Sequence, residues 1–412
     1  MATKFKHLKI SNWRQYANID IEFHKQMTIL TGANGAGKTT ILNLLSRHFG
    51  WSIHLVGTLS ITKSGAWKYF SGSGRDYFNR DENAAQRIGS LRYDNGTEAE
   101  LSVLPQVNEN YQVSLSNQQA VTGIYITSHR PVYSYQRVDQ IPTKITATNQ
   151  LFEEYVSNLQ QYYNPQARIQ SPSFRIKSAL ISLATFGYGN RAVEANDDAR
   201  DTFESFQEVL RKILPPDLEF QEIRIRLPDV LLHCRNNEFS IDAASGGVSA
   251  LIDLAWQIHM KSLTVDGFVV VLDEPENHLH PRLQRTVLPS LIKAFPQAQF
   301  VAATHNPFVV TSVPDSSVVV LDFYEGKVKS TNMSAFDRAA SANQVLADVL
   351  GVPFPMPMWV EDHVDSIVRS LEGVELTAQT LTRTKQQLAD LGLGDMFPEI
   401  IDRLIPGSGD ST

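Results

Sequence analysis

Four short stretches of this 412-residue chain hold the residue types and spacings that can do chemistry. GANGAGKTT, residues 32–40, fits G-x-x-x-x-G-K-[ST], with the strand-like run MTILT before it and the helix-spaced run TTILNLLSRHF after it. Gly32, Gly35 and Gly37 let the backbone curl until its N–H groups point at phosphate oxygens, with Asn34 and Ala36 completing the cradle. Lys38 supplies a cation between β- and γ-phosphates, Thr39 a hydroxyl for Mg²⁺, and Thr40 continues the helix start, whose dipole favours the same anion. The second stretch, FVVVLDE, is a buried-type strand ending in Asp273, the acid expected to hold Mg²⁺. Glu274 follows directly, where a carboxylate can orient the attacking water as base. About 30 residues on, QFVAATHNP ends a further strand in His305, placed to contact the γ-phosphate or that water. In the fourth stretch, AASGGVSALIDLAWQ, Ser245, Gly246 and Gly247 open a helix and make a second anion-binding N-terminus. A chain with one phosphate loop and a separate helix start of this kind can use the second on another protomer's ATP.

These residues need a scaffold. LKISNW, IDIEF and MTILT read as strands, and residues 52–126 are β-rich, with a DNG turn joining two alternating runs in RIGSLRYDNGTEAELSVL. YQVSLSNQQAVTGIYITS reads as another strand pair. From 148 to 213 three stretches have helical periodicity, closed by Pro215-Pro216. EFQEIRIRLPDVLLHCRNNEFSID returns to strands. From 245 the alternation of helix and strand, including one helix over PRLQRTVLPSLIKAF, predicts a parallel sheet flanked by helices. The expected domains are an N-terminal lobe over 1–147, a helical insertion over 148–216, a C-terminal lobe over 217–334 and a helical tail over 335–412. Two amphipathic stretches in the tail suggest a helical hairpin. GVPFPMPMW, with Met356, Met358 and Trp359 between prolines, has the adaptable composition of a partner surface.

Composition narrows the class. No apolar run reaches the ~18 residues that span a bilayer, so no membrane role is expected. A single cysteine, Cys234, excludes an intrachain disulfide framework and agrees with a cytoplasmic address. A net charge of −7 argues against indiscriminate nucleic-acid coating. Lys4/Lys6/Lys9, Arg175/Lys177 and Arg224/Arg226 are the basic groups able to touch DNA phosphates, and on alternating positions they equally suit a solvated face.

The succession of phosphate loop, long insertion, SGG, VVVLDEPE and ATHNP resembles the ABC-type ATPases, closest to the branch of RecF, the SMC proteins and the OLD ATPases. The resemblance implies an α/β head with a mixed or parallel sheet, a β-rich lobe and a helical insertion, using ATP and Mg²⁺. The opening LKISNWRQYANIDIEF resembles the start of that branch, which would put Arg14 near the nucleotide. DEPENHLHP is similar to the OLD group. By that likeness His278 and His280 belong to a loop at the dimer interface beside the partner's phosphate loop, which favours that reading over a metal site, with His280 near the nucleotide. Where the superfamily has a coupling glutamine this chain reads YITSHRPVY, leaving His129, Arg130 and Gln136 as candidates.

Three functions fit such a head. A transporter motor is opposed by the β-rich lobe and the DEPENHLHP form. A RecF- or SMC-like DNA-repair clamp with a short arm is the alternative. The favoured reading resembles the stand-alone ATPases of antiphage systems such as PARIS and Septu. It implies a homo-oligomer that dimerises around ATP, a separately encoded effector of nuclease type and a phage protein as trigger. The tail has no acidic constellation for nuclease metals, so no intrinsic nuclease is expected.

Overall fold

A computed structural model describes residues 2–51, 53–62, 65–72, 84–130, 135–142, 153–157 and 171–333, and within the tail 366–367, 369, 371 and 377–390. Contacts divide the chain into units of residues 1–345 and 346–412. In the second unit the described helix is Ala378–Asp390. Met356, Met358 and Trp359 lie outside the described residues, as do most of the first stretch of the expected tail hairpin and most of the first insertion helix.

The first unit is organised by an eleven-stranded sheet. Its strands in chain order are β1 (Phe5–Trp13), β2 (Tyr16–Glu22), β3 (Met27–Gly32), β4 (Gln86–Tyr93), β5 (Glu98–Val103), β6 (Ser114–Ser116), β7 (Gly123–Ile126), β8 (Phe268–Asp273), β9 (Ala298–Ala303), β10 (Ser317–Tyr324) and β11 (Lys327–Asn332). Their spatial order is β6-β5-β4-β1-β2-β11-β10-β3-β9-β8-β7. The five strands β10-β3-β9-β8-β7 are mutually parallel. The five strands β6-β5-β4-β1-β2 are antiparallel. β11 joins the halves, parallel to β2 and antiparallel to β10. The sheet is therefore mixed rather than wholly parallel.

The residue patterns follow from this placement. β3, β8 and β9 are buried at every position, as strands covered on both faces must be, and they read as continuous apolar runs. β1 and β2 alternate more. The DNG turn joins β4 and β5, as expected.

Two expectations fail. Residues 111–128 do not form a strand pair: β6 and β7 sit at opposite edges of the sheet, β6 on β5 and β7 on β8. Alternation marks both as strands but cannot name a strand's partner, and all four residues of β7 are buried. The run from Pro281 is also not one helix. It breaks into Pro281–Gln284 and Val287–Ala294. Pro289 has no N–H to give the Arg285 carbonyl and its ring crowds that oxygen, so the turn at 285–286 opens.

Among the described residues the first unit also has four longer helices: α1 (Lys38–Ser46), α2 (Pro172–Tyr188), α3 (Asp197–Ile213) and α4 (Gly246–Ser262). Ser171, Asn196 and Ser245 cap α2, α3 and α4 by accepting backbone N–H bonds. α2 packs on α3, and α3 on α4, where Phe206 meets Trp256 edge-on at 5.1 Å. Residues 220–240 form a separate three-stranded antiparallel sheet, again as expected.

Candidate nucleotide site

The parallel half of the sheet brings the chemical residues to one edge. β3 ends at Gly32, β9 at Ala303 and β8 at Asp273, with Ala303 paired to both Leu30 and Asp273. Ligands of open α/β sheets bind outside the carboxyl ends of such strands. The phosphate loop, the acid pair and His305 therefore share one crevice.

Gly32, Gly35 and Gly37 all have positive φ, +131°, +80° and +97°, backbone that L side chains rarely adopt. Ala36 is buried in the core while Asn34 and Gly35 are exposed at the loop's tip. Lys38, 8% exposed, folds back so that Nζ donates to the carbonyls of Gly32 at 2.8 Å and Ala33 at 3.1 Å. Burial lowers its pKa, opposed by the charges of Glu274, Asp273 and Glu276. The Thr39 hydroxyl donates to Asp273 Oδ2 at 3.1 Å. A hydroxyl and a buried carboxylate at this spacing are hard oxygen donors of the kind Mg²⁺ takes. Burial raises the Asp273 pKa, countered by the Thr39 bond and by the charges of Lys38 and His129.

Glu274 is in left-handed backbone, φ +46°, and its N–H donates to the Ala303 carbonyl at 2.9 Å. The left-handed turn aims its side chain across the crevice. Oε1 lies 2.8 Å from His305 Nδ1, and Oε2 accepts from Asn277 Nδ2 at 2.9 Å. A carboxylate held at both oxygens is positioned to orient a water. Just beside it Glu276 is buried, bonded to the Thr304 hydroxyl. Burial raises the Glu276 pKa.

Sequence reasoning missed Tyr16. It is fully buried in the first hairpin, and its hydroxyl donates to the Gly37 carbonyl at 2.7 Å. Arg14, in the same turn at φ +52°, lies close enough for its charge to favour the tyrosinate against burial. The N-terminal hairpin thus braces the loop from below.

The three coupling candidates separate in space. His129 lies near Asp273, and Arg130 Nη2 donates to the Glu274 carbonyl at 3.3 Å. Gln136 faces the helical insertion instead, where its Oε1 accepts from the N–H and hydroxyl of Ser171 at 3.2 and 3.1 Å.

Ser245 and Gly246 are exposed at the start of α4, and a Cβ on Gly246 would meet nothing within 4 Å. Beside them a Cβ on Gly247 would lie 3.3 Å from the carbonyl of His278. The helix start and the histidine segment therefore form one continuous surface. His278 has φ +68°, and His280 caps the helix that follows. Among the described residues no group of three or more His, Cys, Asp and Glu is placed to hold a metal ion.

Most of the basic groups singled out in the sequence are engaged within the chain, whereas the Arg175 Nε is buried without a hydrogen-bond partner. Lys6 pairs with Glu22, Lys9 with Asp20, Arg224 with Glu222 and Arg226 with Glu238. Lys177 is completely buried, which removes it from any surface. Among the described residues no helix is long and apolar enough to cross a membrane.

Comparison with known proteins agrees with this geometry. Residues 27–311 match the family described as "AAA domain, putative AbiEii toxin, Type IV TA system". Residues 5–47 match the "P-loop containing region of AAA domain". The retron Vc95 probable ATPase of Vibrio cholerae serotype O1 biovar El Tor is 26% identical over 222 residues, covering 50% of this chain and 41% of that protein. The Septu protein PtuA of Bacillus mycoides (strain KBAB4) is 24% identical over 341 residues, 76% of this chain and 40% of that protein. The Septu protein PtuA of Bacillus thuringiensis is 20% identical over 376 residues, 86% of each. The chain spans about two fifths of the length of the first two of these relatives. With a phosphate loop, an acid strand and a family domain matched over residues 27–311, the chain belongs to the AAA-domain family of that description.

Proposed function

We propose that this chain is the ATP-hydrolysing sensor and scaffold subunit of an antiphage defence complex, closing as a dimer around ATP and controlling a separately encoded effector of nuclease type. The observation that carries the dimeric ATPase is the division of the site. Lys38, Thr39, Asp273 and Glu274 converge in one crevice, whereas Ser245 and Gly246 present an open helix N-terminus on a surface shared with His278. An anion site facing outward is completed by a second copy. The defence role is supported by the likeness to the Septu protein PtuA and the retron Vc95 ATPase.

In this reading Lys38 leaves the carbonyls of Gly32 and Ala33 for the β- and γ-phosphates of bound ATP. Thr39 and Asp273 hold Mg²⁺, which offsets phosphate charge when bound. Glu274, fixed by Asn277 and His305, orients the water that attacks the γ-phosphorus and accepts its proton. Arg14 and Tyr16 keep the loop's shape. Ser245, Gly246, Gly247 and His280 meet the partner's nucleotide, so closure depends on ATP and hydrolysis reopens the pair.

The test is affinity capture of the tagged Glu274→Gln chain from its native host, with mass spectrometry of what is retained. A stoichiometric nuclease, together with no DNA cleavage by the purified chain in Mg²⁺ or Mn²⁺, supports the reading. Recovery of replication or recombination proteins with DNA, and no effector, would replace it with a repair clamp.

A further inference from the structure

Lys177 lies in the helical insertion, far in sequence from every motif above, yet its side chain is completely buried and contacts three separate segments. Nζ donates to Asp229 Oδ1 at 2.7 Å, to Asp242 Oδ2 at 2.7 Å and to the Gln136 carbonyl at 3.1 Å. Each partner leads elsewhere. Asp242 sits in the single 3-10 turn Ile241–Ala243, which runs directly into Ser245. Its carboxylate is 4% exposed, and Oδ1 has no hydrogen-bond partner, so the Lys177 bond is what anchors it. Asp229 opens the second strand of the small sheet. Gln136 holds the Ser171 cap of α2 and stands six residues beyond Arg130, which donates to the Glu274 carbonyl.

A lysine with no access to water that satisfies two carboxylates is a costly arrangement, and removing one member strands the others. An ordinary helix–sheet contact would be met by apolar side chains. Here the polar contact sits at the one turn whose position sets where Ser245 points.

We propose that Lys177 is a positioning residue for the Ser245–Gly247 helix start, holding the Asp242 turn so that Ser245 reaches the nucleotide of the second copy, and linking that turn to the Gln136 segment. The inference rests on the dimeric reading above. It makes Lys177 part of the signature half of the site, although it touches neither nucleotide nor partner.

Complementation between inactive variants separates this from a general folding role. In a dimer sandwich, Lys38→Ala lacks a working phosphate loop and Ser245→Arg lacks a working signature, so mixing them rebuilds one composite site and regains turnover. Lys177→Met is expected to bind a fluorescent ATP analogue as the native chain does, and to lose about 100-fold in turnover, the effect of a small misplacement in a site. Mixed with Lys38→Ala it should regain turnover to the level of the reference mixture; mixed with Ser245→Arg it should not. Asp242→Asn, which keeps an acceptor for the lysine, should show the same pattern more weakly and guards against a Lys177→Met chain that does not fold. Rescue of Lys177→Met by Ser245→Arg would place its action on the phosphate-loop half, and rescue by neither would make it merely structural. Either result overturns the proposal. If the reference mixture itself stays inactive, the in-trans reading of Ser245 fails first and the proposal falls with it.

Discussion

Gly35 and Gly37 are both left-handed, but alanine at the two positions should have very different consequences. At position 35 a Cβ meets nothing within 4 Å, so Gly35→Ala carries only the backbone cost, about 1–2 kcal/mol. At position 37 the Cβ runs into the Tyr16 ring, with Cε1 at 2.8 Å and the hydroxyl closer, and into the Gln15 carboxamide. Gln15 can move, but Tyr16 is fully buried and tied to the Gly37 carbonyl. Overpacking adds about 1–3 kcal/mol, and the lost hydrogen bond about 1 kcal/mol. Gly37→Ala should therefore cost roughly 3–6 kcal/mol in all. Urea unfolding without nucleotide, followed by tryptophan fluorescence, measures both variants, provided the slope m is unchanged. Tyr16→Phe removes the closest clashing atom, so the double variant should recover about 1 kcal/mol or more relative to the sum of the single changes. Binding of a fluorescent ATP analogue should be kept in Gly35→Ala and lost in Gly37→Ala. Equal destabilisation at both positions, or strict additivity with Tyr16→Phe, would refute the idea that Tyr16 braces the loop.

Three further outcomes are expected. Glu274→Gln preserves size but removes the base, so single-turnover hydrolysis should fall about 10²–10⁴-fold while ATP still drives dimerisation, as read by light scattering; unchanged turnover would exclude Glu274 from the role. Chelation of divalent ions should stop hydrolysis and weaken ATP binding in the native chain, whereas Thr39→Val should already bind Mg²⁺-ATP and ATP alone equally, a difference visible by calorimetry. Asp253, buried in α4 with Tyr155 and Gln257 bonded to it, has its pKa raised by burial against the smaller pull of those bonds and of the Arg130 charge. The folded chain then keeps a proton that the unfolded chain has released, so stability is lost as pH climbs from the ordinary Asp value, about 3.9, to the raised one, and is flat above it. Asp253→Asn should flatten that slope in urea midpoints taken across the range, because Gln257, whose Oε1 has no partner, can turn to accept from the new amide; an unchanged slope would assign the pH dependence to other groups.

The parts of the candidate nucleotide site were legible in the sequence because each is local. A phosphate loop needs its glycines, lysine and threonine within nine residues, and a strand buried on both faces announces itself as FVVVLD, ending in its acid. The SGG helix start is likewise a cap followed by an apolar run. Those signals depend on neighbouring residues and survive without knowledge of the fold.

What lay beyond the sequence depends on pairs distant along it. Alternation marked residues 114–116 and 123–126 as strands, but only the sheet order placed them at opposite edges. Lys177 looked like a surface cation beside Arg175, since a lysine is rarely buried unless paired, and its acids lie 52 and 65 residues away. Tyr16 fell between the strand runs LKISNW and IDIEF and drew no notice until the hairpin set its hydroxyl against Gly37. Arg130 and Gln136, six residues apart, could not be distinguished as coupling candidates, because one looks to Glu274 across 144 residues and the other to Ser171 across 35. The sequence by itself marked the loop, the acid strand and the helix start that are proposed to meet the phosphates, through short-range backbone chemistry. Tertiary structure alone decided which buried charges pair, Lys177 with Asp229 and Asp242 among them, because a buried ion pair is defined by who stands opposite, and that is a property of the fold.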